Sequence, residues 1–177
     1  MSKAILLSIQ PKWVEKILNG EKTIEIRKTM PKCELPIDVF IYCTKSKKDF
    51  VFQHIPTDNE IIHSRCINGN VVAKFTLNKV DRYDYGNMDY PTPAYEGDPT
   101  CAKIGDGYWI RCFELDKTCL TYDELVEYGK GKTLYGWNID NLKKFNYALP
   151  IREAPQRWMY VNDLTKESVK NNDNSEM

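Results

Sequence analysis

The sequence predicts an α+β chain, mainly β, folded as a partly closed β-barrel with a few short flanking helices. Three observations carry this. Val71, Ala73, Phe75 and Leu77 alternate with Val72, Lys74, Thr76 and Asn78, the pattern of a half-exposed antiparallel strand. The apolar runs Ala4 to Ile9 and Ile37 to Thr44 read as further strands, the first buried on both faces. Helical signals are confined to brief stretches, so strands dominate, and partial closure into a barrel is the natural way to bury so many two-faced strands.

The 177 residues suffice for one domain with a proper core. No linker or internal repeat divides the chain, so 1–163 reads as a single domain and the polar, aromatic-free 164–177 as a disordered tail. Lys plus Arg number 25 and Asp plus Glu 25. A chain with no net charge lacks a global attraction for polyanions; nucleic-acid binding then needs a local basic patch or a pocket. The six cysteines are scattered, without a C-x-x-C pair, and His54 and His63 are the only histidines. Neither a metal site nor a cofactor is expected, and free thiols together with the lack of a signal-like start point to a reducing cytoplasm. No apolar run approaches the roughly 20 residues of a membrane span.

Along the chain, Ala4 to Ile9 is followed by Pro11, which suits a first helical position. Trp13, Val14, Ile17 and Leu18 share one face of that helix, and Gly20 supplies its left-handed end. A strand follows at once, in Lys22-Thr23-Ile24-Glu25-Ile26-Arg27. Alternation sends Ile24 and Ile26 inward and sets Thr23, Glu25 and Arg27 on the opposite face, with Lys22 swinging over that surface. In Ile37 to Thr44, Ile37, Val39, Ile41 and Cys43 lie on one face, and Phe40 and Tyr42 on the other.

Lys45-Ser46-Lys47-Lys48 reads as a solvated turn rather than a phosphate-contacting patch. Asn68-Gly69 turns the chain into Val71–Leu77. Residues 81–103, rich in proline and tyrosine, read as a long ordered loop. Its tyrosines pack the loop onto the barrel or stack on bases. Tyr108 to Leu115 reads as a strand, and Thr121-Tyr122-Asp123-Glu124 is a capping box that starts a helix ending near Gly129. Gly129-Lys130-Gly131-Lys132-Thr133 shares residues with a phosphate loop but follows a helix and enters a strand, the reverse of that motif. A basic lip beside the site is the better reading. Trp137 closes a strand, Ile139, Leu142 and Phe145 mark a short helix, and Trp158 to Val161 forms the last strand.

The spacing G-x-K-x-x-E-x-R at Gly20, Lys22, Glu25 and Arg27 resembles the signature of the ASCH domain family, a branch of the PUA-like β-barrels. The preceding strand and helix agree with that likeness. So does Leu134-Tyr135-Gly136-Trp137-Asn138-Ile139, which is similar to a Tyr-Gly-Trp-His-Ile pattern of phage and prophage ASCH proteins, with Asn138 where histidine is usual. The likeness spans roughly residues 3 to 162. It implies recognition of RNA or a modified base. It also implies a second outcome, since one subgroup acts as an amidohydrolase on acetylated cytidine. That subgroup's lysine is matched by Lys22, while a threonine stands where this chain has Glu25. Thr23 lies two positions earlier on the same face, and Glu124 and Glu127 are the glutamates nearest in sequence to a further catalytic position of the subgroup.

Three readings follow. The first is a binder of RNA, other single-stranded nucleic acid, a nucleotide or a modified nucleoside. Lys22 and Arg27 handle charge, Glu25 reads a donor edge, and Tyr135 and Trp137 offer a stacking surface. The second is a hydrolase, of amidohydrolase or nuclease type, with Lys22 as base, Glu25 orienting water and Thr23 as a subsidiary catalytic candidate. In the third, the 82–99 loop meets a protein partner. Against all three stands a plain surface ion-pair ladder of Lys22, Glu25 and Arg27, worth little to stability; the binder reading itself expects Lys22→Ala and Arg27→Ala to weaken binding and leave the melting temperature nearly unchanged.

Overall fold

The computed structural model of the chain describes residues 3–55, 63–86, 107, 108, 110, 112–149, 151 and 153–165. β1 (Lys3–Ile9), α1 (Pro11–Leu18), β2 (Ile24–Arg27) and β3 (Ile37–Cys43) come first. A hairpin of β4 (Phe52–Ile55) and β5 (His63–Cys66) follows, then β6 (Val71–Leu77), β7 (Val80–Tyr83), β8 (Tyr85–Gly86) and β9 (Gly107–Tyr108). The remainder is α2 (Cys112–Thr118), α3 (Tyr122–Gly129), β10 (Leu134–Asn138), β11 (Asp140–Leu149) and β12 (Trp158–Asn162). The chain is thus mainly β with a few short helices.

Two sheets carry the architecture. The larger has the order β11-β6-β3-β1-β12, in which β1 and β3 run parallel and the other pairs antiparallel. The smaller has the order β2-β10-β7 and is antiparallel throughout. Among the described residues no ladder joins the two, so the barrel is open.

Three apolar layers hold the stack together. The main one lies between the sheets, where Ile5, Leu7, Val39, Ile41 and Phe75 meet Val14 and Ile17 of α1 and Trp137 of β10. A second covers the outer face of the large sheet with Leu6, Phe40, Phe145 and Leu149. The third lies beyond the small sheet, where Ile24, Ile26, Tyr83 and Leu134 pack against Leu125 of α3 and Leu115 of α2. Ile24 and Ile26 therefore serve a satellite core beneath the helices. The opposite face of β2, the charged one, looks into the space between the sheets.

Four expectations are corrected. Tyr108 to Leu115, expected as a strand, has only Tyr108 in β9, and α2 begins at Cys112. The alternating apolar residues fitted either period in so short a run, and α2 shows Asp116 and Lys117 to solvent while Leu115 packs inward. Ile139, Leu142 and Phe145, expected as a helix, belong to or border β11. Register shifts between Asp140 and Lys143 and between Lys144 and Leu149, with Asn141 at φ 50°, break the twofold alternation and leave a three-residue spacing that mimics a helix. Asp81 to Tyr83, expected at the start of a loop, belong to β7, which pairs with β10. Thr23 precedes β2 rather than lying in it.

The expected tail is described only at Leu164 and Thr165, where Leu164 packs on the outer layer; the rest lies outside the described residues. So does most of the 82–99 loop, from residue 87 onward. No helix among the described residues is long and apolar enough to cross a membrane.

Candidate functional site

α1 and its exit set the site. Pro11 opens the helix at its first position, and Gly20 at φ 81° closes it. The amides of Glu21 and Lys22 then both donate to Lys16 O, at 2.9 and 3.1 Å, which turns the chain back under the helix. Lys22 was expected at the surface. It is instead 2% exposed, with its ammonium 5.1 Å from the centroid of the Trp13 ring.

Three contacts fix that ammonium and its neighbours. Lys22 Nζ donates to Thr118 O at 2.6 Å and lies 3.3 Å from Glu25 Oε2. Arg27 Nε lies 3.2 Å from Glu25 Oε1, and Arg27 Nη2 donates to Ser8 O. Glu25 is 6% exposed, so the ladder imagined on a surface is a buried cation–anion–cation row. Its geometry is incomplete. Glu25 Oε2 and Arg27 Nε are within ion-pair distance of their neighbours, yet neither makes a hydrogen bond. Buried polar atoms are seldom left so, because the lost hydration costs about 1–3 kcal/mol per group.

The row forms one wall of a cleft of about 490 Å³. Ser8 to Gln10 at the end of β1, Lys12 and Trp13 of α1, Ile26 of β2 and Lys28 after it, and Leu120, Glu124, Glu127, Tyr128 and Lys130 in and around α3 complete the lining. Its size falls within the roughly 300–1,000 Å³ of small-molecule sites. Lys12 Nζ sits 4.3 Å from the Trp13 ring centroid and Lys28 Nζ 4.8 Å from that of Tyr128.

The two glutamates of α3 differ in freedom. The Glu124 carboxylate accepts from the Thr121 amide at 2.8 Å as half of the capping box, and that bond holds its carboxyl below the usual range. Glu127 has no hydrogen bond or ion pair among the described residues. Burial pushes the Tyr128 phenol above its usual range, an effect opposed by Arg27 and Arg157 and reinforced by Glu25.

Of the residues expected to act, Lys22, Glu25 and Arg27 line the cleft; Thr23, Tyr135 and Trp137 do not. Trp137 is directly opposite Glu25 in the sheet register, and Tyr135 opposite Arg27. Their shared face is why both were plausible neighbours. But Trp137 is fully buried in the core, its Nε1 donating to Thr29 O at 3.2 Å, and it has no free ring face to offer a ligand. Tyr135 is half-buried against the same core. The aromatic walls are Trp13, read from the sequence only as a helix-face residue, and Tyr128, read only as the end of a helix.

Asn138, at the place where histidine is usual, points elsewhere: its Nδ2 donates to Asp81 Oδ2 at 2.7 Å. Gly136 has a packing reason, because a Cβ there would fall 2.8 Å from Tyr83 Cε2 and 3.0 Å from Ile24 Cγ2. Among the described residues no group of three His, Cys, Asp or Glu converges as a metal site would require. Cys33, Cys43, Cys66 and Cys119 are free thiols.

The mainly β fold, with no ladder joining its two main sheets among the described residues, is PUA-like in class. Within that class the chain belongs to the ASCH domain family, whose sequence profile it matches over residues 7–155. Solved structures agree on the fold. ASCH from Zymomonas mobilis superposes with a TM-score of 0.58 at 13% identity, covering 94% of each chain. Two single-substitution variants of that protein superpose with a TM-score of 0.57 at 12% identity, covering 95% of this chain and 96% or 94% of theirs. No curated protein matches the sequence.

Proposed function

We propose that the cleft binds a nucleobase, carried by single-stranded RNA, a nucleotide or a modified nucleoside. The observation that carries this reading is the unsatisfied carboxylate oxygen of Glu25 on the wall of a cleft flanked by Trp13 and Tyr128. A buried acceptor suits the exocyclic amine of a base, and Arg27 Nε supplies a donor beside it. Both rings carry a flexible lysine over them, which a base can displace to stack. Lys22, held by Thr118 O and Glu25, keeps the acceptor in place rather than reaching far into the cleft.

A titration of isotope-labelled protein with short single-stranded RNAs, nucleotides and acylated nucleosides tests this, watching the amides of Lys22 to Arg27. Shifts at those amides with at least one pool are expected. Silence there with every pool would return the row to a structural role.

One observation favours a second reading as a hydrolase of acylated nucleosides. Glu127, without a partner among the described residues, shares the cleft with Lys22 and Glu25, so a carboxylate is available to handle a water. New product signals from an acylated cytidine in the same titration would establish turnover. Their absence, with binding intact, would leave a binder.

A further inference from the structure

We propose that a phosphate subsite adjoins the cleft, formed by Arg157 and Lys28 beside Tyr128 and Trp158, and that the preferred ligand is therefore a phosphorylated nucleoside or a strand rather than a bare nucleoside. The inference rests on the base-binding reading and deepens it. A separate hollow of about 170 Å³ is lined by Arg27, Lys28, Thr29, Tyr128, Arg157 and Trp158. It shares Arg27, Lys28 and Tyr128 with the larger cleft, so the two spaces adjoin at these residues.

Charge separates the two spaces. The larger cleft mixes lysines and Arg27 with Glu25, Glu124 and Glu127, whereas the hollow has three cations and no carboxylate. Arg27 is already engaged by Glu25 and Ser8 O. Arg157 and Lys28 are exposed, and neither has an acidic partner among the described residues. A guanidinium and an ammonium left without a counter-ion at the mouth of a base-sized cleft suit a phosphate, which accepts from both.

The hollow is also built, not incidental. Ser8 ties the two arginines together: its amide donates to Arg157 O at 2.9 Å, and its carbonyl accepts from Arg27 Nη2. Its hydroxyl donates to Pro155 O at 2.5 Å, pinning the segment that carries Arg157. Trp158 Nε1 donates to Thr29 Oγ1 at 3.0 Å and fixes the far wall. The exposed Arg157 and Lys28 side chains complete its lining, Lys28 over the Tyr128 ring.

The test compares affinities of the full chain for cytidine, cytidine 5′- and 3′-monophosphate, and a cytidine dinucleotide at one ionic strength. The phosphate-bearing probes should bind about tenfold tighter than cytidine or better. Arg157→Gln should erase that gain while leaving cytidine affinity and the melting temperature nearly unchanged, since its exposed side chain makes no ion pair or hydrogen bond among the described residues. A larger gain for a monophosphate would identify a terminal phosphate as the natural source; a larger gain for the dinucleotide would identify a strand. Equal affinity of cytidine and its phosphates, or a gain that survives in Arg157→Gln, overturns the subsite and leaves the base-binding reading standing. If no probe binds, the base-binding reading fails and the subsite falls with it.

Discussion

The ammonium of Lys22 donates a 2.6 Å hydrogen bond to the carbonyl of Thr118, 96 residues away in sequence. Thr118 is the last residue of α2, so the cation sits at the helix end where unpaired carbonyls gather and positive charge is favoured. Lys22 thus closes a helix as well as flanking Glu25, and its removal has consequences for the fold.

Lys22→Met should destabilise the protein by about 3 kcal/mol, because breaking a buried pair leaves Glu25 with Arg27 alone and the α2 terminus without its cation. At roughly 2–4 °C per kcal/mol for a chain of this size, the midpoint falls by about 10 °C. Urea unfolding of Lys22→Met, Glu25→Leu and the double variant measures it, and the double should cost clearly less than the sum. An unchanged melting temperature, as an exposed ladder would give, would refute the burial argument.

Glu25→Gln keeps the shape of the side chain but halves its accepting capacity. Cytidine, with its exocyclic amine, should lose about tenfold in affinity relative to uridine. The ratio of the two dissociation constants is the proper readout, since any loss of folded protein cancels in it.

Gly136→Ala should cost about 1–3 kcal/mol, because the added Cβ would lie 2.8 Å from Tyr83 Cε2 and 2.9 Å from its hydroxyl. Gly20→Ala should cost about 1 kcal/mol, since φ is 81° there but nothing lies within 4 Å of the new methyl. Denaturation midpoints of the two variants should fall in that order.

Burial pushes the Cys43 thiol up to about 12. A thiol held above its unfolded value of 9.0 contributes stability that is intact below that value and disappears as pH climbs toward 12. The wild type should therefore lose stability in this alkaline window faster than Cys43→Val. At pH 8, iodoacetamide should modify the exposed Cys66 of the native protein and spare Cys43 until the chain is unfolded.

The parts of the fold with an unbroken period were legible. β1, β3 and β6 alternate or run apolar without interruption, and α1 carries proline at its start and glycine at its end. β11 was not, because two register shifts erase the alternation that would have announced it. In the site, the spacing from Lys22 to Arg27 was enough to bring three members together. Their burial was not foreseeable, since it depends on Trp13 and Thr118 folding over them from other parts of the chain. The exchange of Trp137 for Trp13 and Tyr128 as ring walls has the same cause. A strand residue's face follows from its neighbours in sequence, but the layer that face meets does not.

Ser8 draws its partners from both ends of the chain, Arg27 on one side and Pro155 and Arg157 on the other. During synthesis the ribosome would release β1, α1 and β2 long before residues 155–158 exist to dock. A nascent chain can thus carry the whole Lys22–Glu25–Arg27 segment and still lack the far wall of the small hollow beside it. The Arg157–Trp158 wall of the small hollow is in place only once β12 has paired with β1, so that wall forms late however early β1, α1 and β2 take shape.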